Sequence, residues 1–314
     1  MGKFKDLLDK NEYVILDGAL GTELENRGYD VSGKLWSAKY LLENPKVIQD
    51  LHEVYLRAGA DIITTSSYQA TIQGLEDYGL TEQEATDTIA LTVDLAKKAR
   101  ENVWNVLSDD EKSKRPYPLI SGDVGPYAAY LADGSEYNGN YHLSKEEFKD
   151  FHCTRIKALL SAGCDFLGIE TIPNVVEAEA LIELLADEFP ETEAYMSFTA
   201  QDDESISDGT AIETVAALCD ASKQILAFGI NCSSPAVISN LLKKIRTVSQ
   251  KPLVTYPNSG EIYDGVTQTW KSLPDHTHTL LENSQIWHQF GAKVVGGCCR
   301  TTPDDIACLT NHLR

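Results

Sequence analysis

Ala58-Gly59-Ala60-Asp61-Ile62-Ile63-Thr64-Thr65 holds a helix end, a turn and a strand in eight residues. Ala58 closes an amphipathic run that begins near Pro45. Gly59 falls at the helix C′ position, where positive φ is needed and glycine supplies it without steric cost. Asp61–Thr65 is short, apolar and β-branched, which predicts a strand. The same junction recurs as Ala162-Gly163-Cys164-Asp165 and Phe290-Gly291-Ala292-Lys293. A chain that ends helix after helix on glycine and then enters an apolar strand is built from alternating units.

Working outward, the other predicted strands are Tyr13–Gly18, Tyr117–Ser121, Asp165–Glu170, Ala194–Phe198, Ile225–Ile230, Pro252–Tyr256 and Ala292–Val295. Helices are predicted near Pro45–Ala58, Thr81–Val106, Ser144–Ala162, Val175–Asp187, Thr210–Ala221, Pro235–Val248, Thr279–Phe290 and Pro303–Leu313. Ser144 with Glu147 reads as a capping box, and Thr302 before Pro303 as an N-cap followed by proline at the first helical position. The strands are nearly continuous apolar runs, as expected when both faces are buried. Eight such units predict an α/β fold of the (β/α)8 TIM-barrel type, in a single domain over residues 1–314. A doubly wound open sheet is the rival, but no Gly-x-Gly-x-x-Gly follows the first strand.

Composition narrows the function. A net charge of −21 leaves no basic surplus for phosphates, so nucleic acid and anionic membrane surfaces are not expected partners. No run of about 18 apolar residues predicts a transmembrane helix, and the charged N-terminus lacks a signal-peptide core. Seven cysteines without a secretion signal are expected to be reduced thiols in the cytoplasm.

In a barrel of this type the chemistry lies at the C-terminal strand ends. Those ends are Asp17, Ser66 to Tyr68, Asp123, Glu170, Thr199, Cys232, Asn258, and Cys298 with Cys299. Cys153, Cys164, Cys219 and Cys308 read as small buried hydrophobes. Cys232, Cys298 and Cys299 read as three ligands of a zinc ion with one open position, the pattern of catalytic rather than structural zinc. Neighbouring residues of a regular strand face opposite ways, so both thiols of the pair reach one ion only if the backbone is irregular; Gly296 and Gly297 are expected to supply that irregularity. Asp17 and Glu170 end apolar strands and are read either as structural caps or as a grip on a substrate ammonium group. His276 and His278 lie in a polar loop and are read as solvated. The long loops Gly122–Leu143 and Asn258–His278, the second with Tyr263 and Trp270, offer aromatic faces to a cationic ligand.

Leu16-Asp-Gly-Ala-Leu-Gly-Thr-Glu-Leu24, Leu35-Trp-Ser-Ala38, Glu170-Thr-Ile-Pro173, Ile206-Ser-Asp-Gly-Thr210, Gly229-Ile-Asn-Cys232, Tyr256-Pro-Asn-Ser-Gly-Glu261 and Gly296-Gly-Cys-Cys-Arg-Thr-Thr-Pro303 together resemble the homocysteine S-methyltransferase family. The resemblance spans residues 14 to 303 and implies a (β/α)8 barrel. It implies zinc held by Cys232, Cys298 and Cys299, and a homocysteine amino group bound by Asp17 and Glu170. Asn231, Ser66 and Tyr68 match the substrate pocket. The implied reaction moves a methyl group from a sulfonium donor, S-methylmethionine in preference to S-adenosylmethionine, onto the thiol of homocysteine to give methionine. Betaine is the alternative donor. A zinc hydrolase is the rival from another class, but the strand ends offer no His ligand.

Overall fold

A computed structural model of the chain describes residues 2–260, 262–264, 269–271 and 278–314. Ten strands are numbered in chain order: β1 (Val14–Ile15), β2 (Ile62–Thr64), β3 (Leu119–Val124), β4 (Phe166–Ile172), β5 (Ala194–Phe198), β6 (Ile225–Asn231), β7 (Leu253–Tyr256), β8 (Ile262–Asp264), β9 (Thr269–Lys271) and β10 (Ala292–Val295). Eight form one parallel sheet in the order β1-β10-β7-β6-β5-β4-β3-β2. A parallel bridge between Leu16 and Ile62 brings the two edges together, flanked by Asp61 N–H to Ile15 O at 2.7 Å and Asp17 N–H to Ile62 O at 3.2 Å. The ring of strands is therefore a barrel, as the junction pattern predicts.

Each of the eight barrel strands is followed, before the next barrel strand or the end of the chain, by a helix that covers the outer face. The helices Pro45–Ala58, Pro235–Val248 and Pro303–Leu313 begin and end where the sequence places them. Gly59, Gly163 and Gly291 carry φ of 106°, 81° and 91°, so each junction does turn on a left-handed glycine. The boxes Ser144/Glu147 and Thr302/Asp305 form as reciprocal pairs. In the 258–278 loop, β8 and β9 pair as an antiparallel hairpin that its polar composition does not announce. Glu261 and His276 lie outside the described residues, as do the side chains of Tyr263 and Trp270.

Two apolar layers result. The larger lies between strands and helices; the smaller fills the lumen with Val14, Leu16, Ile62, Leu119, Phe166, Tyr195, Ala227, Val254, Tyr256 and Val294. These are alternate residues of their strands, as the pleat requires. The lumen is plugged at the N-terminal ends of the strands by a helix the sequence reading misses, Lys3–Lys10. Its Phe4, Leu7 and Leu8 recur at helical spacing and enter the lumen, and Phe4 stacks on Phe166 with ring centroids 4.1 Å apart. Five charges among its eight residues hid it. The plug closes one end, so side chains at the other end form the only mouth the lumen has among the described residues.

Candidate metal and substrate site

That mouth collects the predicted residues. Cys232 directly follows β6, and its N–H donates to Tyr256 O at the end of β7 at 3.1 Å. Cys298 and Cys299 follow β10; Cys298 N–H donates to Pro257 O at 2.8 Å, and Cys299 O accepts from Ser259 N–H at 3.0 Å. Backbone bonds among three neighbouring strand ends thus hold the three thiols in place. Their sulfurs lie within 4.8 Å of one another, with Cys232 Sγ 3.7 Å and Cys298 Sγ 4.0 Å from Cys299 Sγ. A zinc–sulfur bond of about 2.3 Å gives a tetrahedron whose S···S edge is about 3.8 Å. The donor set therefore fits zinc in both chemistry and spacing. Hydrogen bonds from Cys232 and Cys298 hold the Cys299 thiol well below its ordinary range, so one thiolate is favoured before any ion enters.

The backbone irregularity is not where the sequence reading puts it. Neither Gly296 nor Gly297 has positive φ; Cys232 (46°) and Arg300 (68°) do. The glycines serve close approach instead. A Cβ on Gly297 would lie 2.3 Å from Thr301 Oγ1, and one on Gly296 would lie 2.7 Å from Leu16 Cβ. Bare backbone lets the segment cross the end of β1 and places the cysteine pair beside Asp17. A non-glycine residue such as Cys232 in the left-handed region stores strain of the kind found at functional sites.

Asp17 is 6% exposed, and its carboxylate accepts from Thr64 N–H at 2.9 Å and Thr64 Oγ1 at 3.0 Å. Burial nonetheless raises its pKa to about 8, with Glu170 adding to the rise. Burial raises the Glu170 carboxyl to about 7, with the nearby Tyr256 hydroxyl acting against the rise. Two carboxylates that burial makes costly to ionise are poised for a cation. The sign follows: the folded state retains protons that the unfolded chain releases near pH 4, so the substrate-free protein loses stability as pH rises from about 4 to 8. Asp17→Asn should remove part of that slope and gain about 1 kcal/mol at pH 8. Urea titrations of both proteins at pH 5 and pH 8 read it; an unchanged slope would sink the assignment.

Asn231 is fully buried, accepts from Thr171 N–H at 3.0 Å and donates to Thr171 Oγ1 at 2.8 Å. It thereby pins Thr171 in a left-handed conformation (φ 64°) next to Glu170. Ser66 Oγ is buried and has no hydrogen-bond partner among the described residues. Tyr68 meets Trp36 edge-on, with ring centroids 6.4 Å apart. The four other cysteines divide: Cys219 is fully buried, Cys153 and Cys164 half-buried, and Cys308 exposed, so the buried reading fails for Cys308 on its helix's outer face.

Two residues that the motifs do not single out also face the site. Tyr137, in the loop after β3, brings its hydroxyl to 3.7 Å from Cys232 Sγ. Glu136 beside it is pushed up to about 7 by burial, with Cys232 adding to the rise. The only sequence signal for them is the aromatic content of that long loop.

The fold and the site are those of a TIM-barrel enzyme whose mouth carries carboxylates and a three-thiol cluster with metal-ligand spacing. The chain's residues 14–313 match the family model described as homocysteine S-methyltransferase. The chain is 47% identical over 303 residues to the homocysteine S-methyltransferase of Escherichia coli (strain K12), covering 96% of each chain. It is 44% identical over 306 residues to the homocysteine S-methyltransferase YbgG of Bacillus subtilis (strain 168), covering 98% of this chain and 96% of that one. Its fold is similar to the crystal structure of the E. coli homocysteine methyltransferase MmuM in its metallated form, with a TM-score of 0.84, 44% identity and coverage of 98% and 99%. The chain belongs to the homocysteine S-methyltransferase family.

Proposed function

We propose that this protein transfers a methyl group from a sulfonium donor, S-methylmethionine in preference to S-adenosylmethionine, to the thiol of L-homocysteine, forming methionine. The observation that carries the reading is the three-sulfur cluster, spaced for tetrahedral zinc with the fourth position left to a substrate sulfur. Zinc held by Cys232, Cys298 and Cys299 would supply a Lewis acid that lets the substrate sulfur stay deprotonated near neutral pH, where a free thiol with pKa around 8.5 is mostly protonated.

The chain's own residues do the rest. Asp17 and Glu170 take the homocysteine ammonium, exchanging the protons that burial favours on them for a cation. Asn231 keeps the end of β4 in register with them through Thr171. Ser66 Oγ offers a buried donor to the substrate carboxylate. Tyr68, Trp36 and Tyr137 wall the mouth with aromatic surface, which suits a sulfonium cation and excludes water. A sulfonium leaves as a neutral thioether, so the site needs no general acid for the leaving group. Catalysis is then mainly positioning of two substrates above a prepared sulfur.

The test incubates the zinc-loaded protein with homocysteine and, separately, S-methylmethionine, S-adenosylmethionine and betaine, and measures methionine. Formation with S-methylmethionine and none with betaine is expected. Methionine from betaine alone would reassign the donor, and none from any donor would overturn the function.

A further inference from the structure

Asp123 sits on β3, in the inward-facing alternation Leu119, Ser121, Asp123 that carries Leu119 into the lumen layer. It is 2% exposed. β3 and β4 pair Asp123 with Gly168, so its carboxyl shares the inward face with Glu170, two residues on, and lies close enough to act on it. Its Oδ1 is buried with no hydrogen-bond partner among the described residues. Its backbone is tied down on both sides: its N–H donates to Thr65 Oγ1 at 2.9 Å and its carbonyl accepts from Ser67 Oγ at 2.8 Å. A rigid, buried carboxyl with one oxygen unused is costly unless something takes that oxygen.

Charge balance points to what takes it. Asp17, Asp123 and Glu170 act on one another through a buried space, and Arg155 is the cation that acts on Asp123. Arg155 is fully buried and spent on Gly125 O and Tyr68 O. One guanidinium against three carboxyls leaves two negative charges. A proton shared between Asp123 and Glu170 removes one, and a substrate ammonium removes the other. An ammonium group also has three N–H donors, one more than Asp17 and Glu170 supply with one acceptor each.

We infer that Asp123 is a third substrate-binding residue: its carboxyl keeps a proton, donates it to Glu170, and offers Oδ1 to the ammonium of the amino-acid thiol. Burial and the neighbouring Glu170 both favour the protonated form. The inference rests on the homocysteine reading above. An analogue lacking the α-ammonium group would leave that oxygen unsatisfied.

The experiment compares wild type, Asp123→Ala and Asp123→Asn with zinc bound. It measures KM for homocysteine, KM for the methyl donor, and the inhibition constant of 4-mercaptobutanoate, which has the thiol and carboxylate but no amino group. Asparagine reproduces a donor to Glu170 and a carbonyl acceptor, so it should stay within about twofold of wild type. Alanine should raise the homocysteine KM about tenfold, leave the donor KM unchanged, and leave the inhibition constant unchanged. Asp123→Ser reads the same loss if the alanine variant does not fold. An unchanged homocysteine KM in the alanine or serine variant would overturn the inference, as would an equal loss for homocysteine and 4-mercaptobutanoate. Asparagine as impaired as alanine would overturn the shared proton. Wild type making no methionine would instead overturn the function on which the inference depends.

Discussion

Cys298→Ser should abolish metal binding and methyl transfer together. A serine hydroxyl does not ionise near neutral pH, so the site loses a negative ligand rather than gaining a weaker one. The two sulfurs that remain, 3.7 Å apart, hold an ion far less tightly than three. After dialysis, bound zinc should fall from one equivalent to less than about a tenth, and methionine formation by on the order of a thousandfold, several kcal/mol of activation free energy. The fold should survive, because Cys298 contributes its backbone N–H and carbonyl to the stitching of the strand ends and both persist in serine. Elemental analysis, a methionine assay and circular dichroism read the three parts. Activity retained in a variant shown to be zinc-free would refute the metal's role.

Gly229→Ala should be the most damaging single methyl group in the barrel. Gly229 lies in the middle of β6, three residues before Cys232, with its missing side chain facing β7. A Cβ there would lie 2.0 Å from Val254 O and 2.9 Å from Val254 N. Those are backbone atoms of the paired strand, so no rotamer change relieves the clash and β6 and β7 must separate. Overpacking of this kind costs about 3 kcal/mol or more. The lost register runs directly to the thiols, because Cys232 N–H bonds Tyr256 O on the same pair of strands. Urea unfolding should show the loss of stability, and metal titration a weakened site in whatever folds. A variant with wild-type stability and zinc affinity would show that the strand pair has slack that the structure does not display.

The pH slope at Asp17 and the Asp123 comparison test the carboxylates, whereas these two substitutions test the sulfur cluster and its scaffold. Together they separate the ion, the amino-group grip and the frame that holds both.

The frame was legible because it is written locally. A glycine at Gly59, Gly163 and Gly291 relieves the same steric clash wherever a helix must reverse into a strand, and the apolar runs after it are read within a handful of residues. The capping box at Ser144 and Glu147 is likewise complete within four residues. The N-terminal plug was not legible, because three apolar residues among charges do not say that a barrel lumen waits 160 residues away. The hairpin of β8 and β9 escaped for a similar reason, since its pairing is set by cross-strand partners in a polar stretch.

The sequence by itself determined the units, their number and the identity of the three thiols, because chain chirality, glycine conformation and residue chemistry act over short distances. Only the tertiary structure decided that Cys232, 66 residues before Cys298, comes within zinc-ligand spacing of Cys299. It alone decided that positive φ falls on Cys232 and Arg300 rather than on the glycines, and that Asp123 stands against Glu170 with an oxygen unused. Those facts depend on how far apart strand ends lie around a closed ring and on which atoms burial leaves without water, and both are properties of the whole barrel.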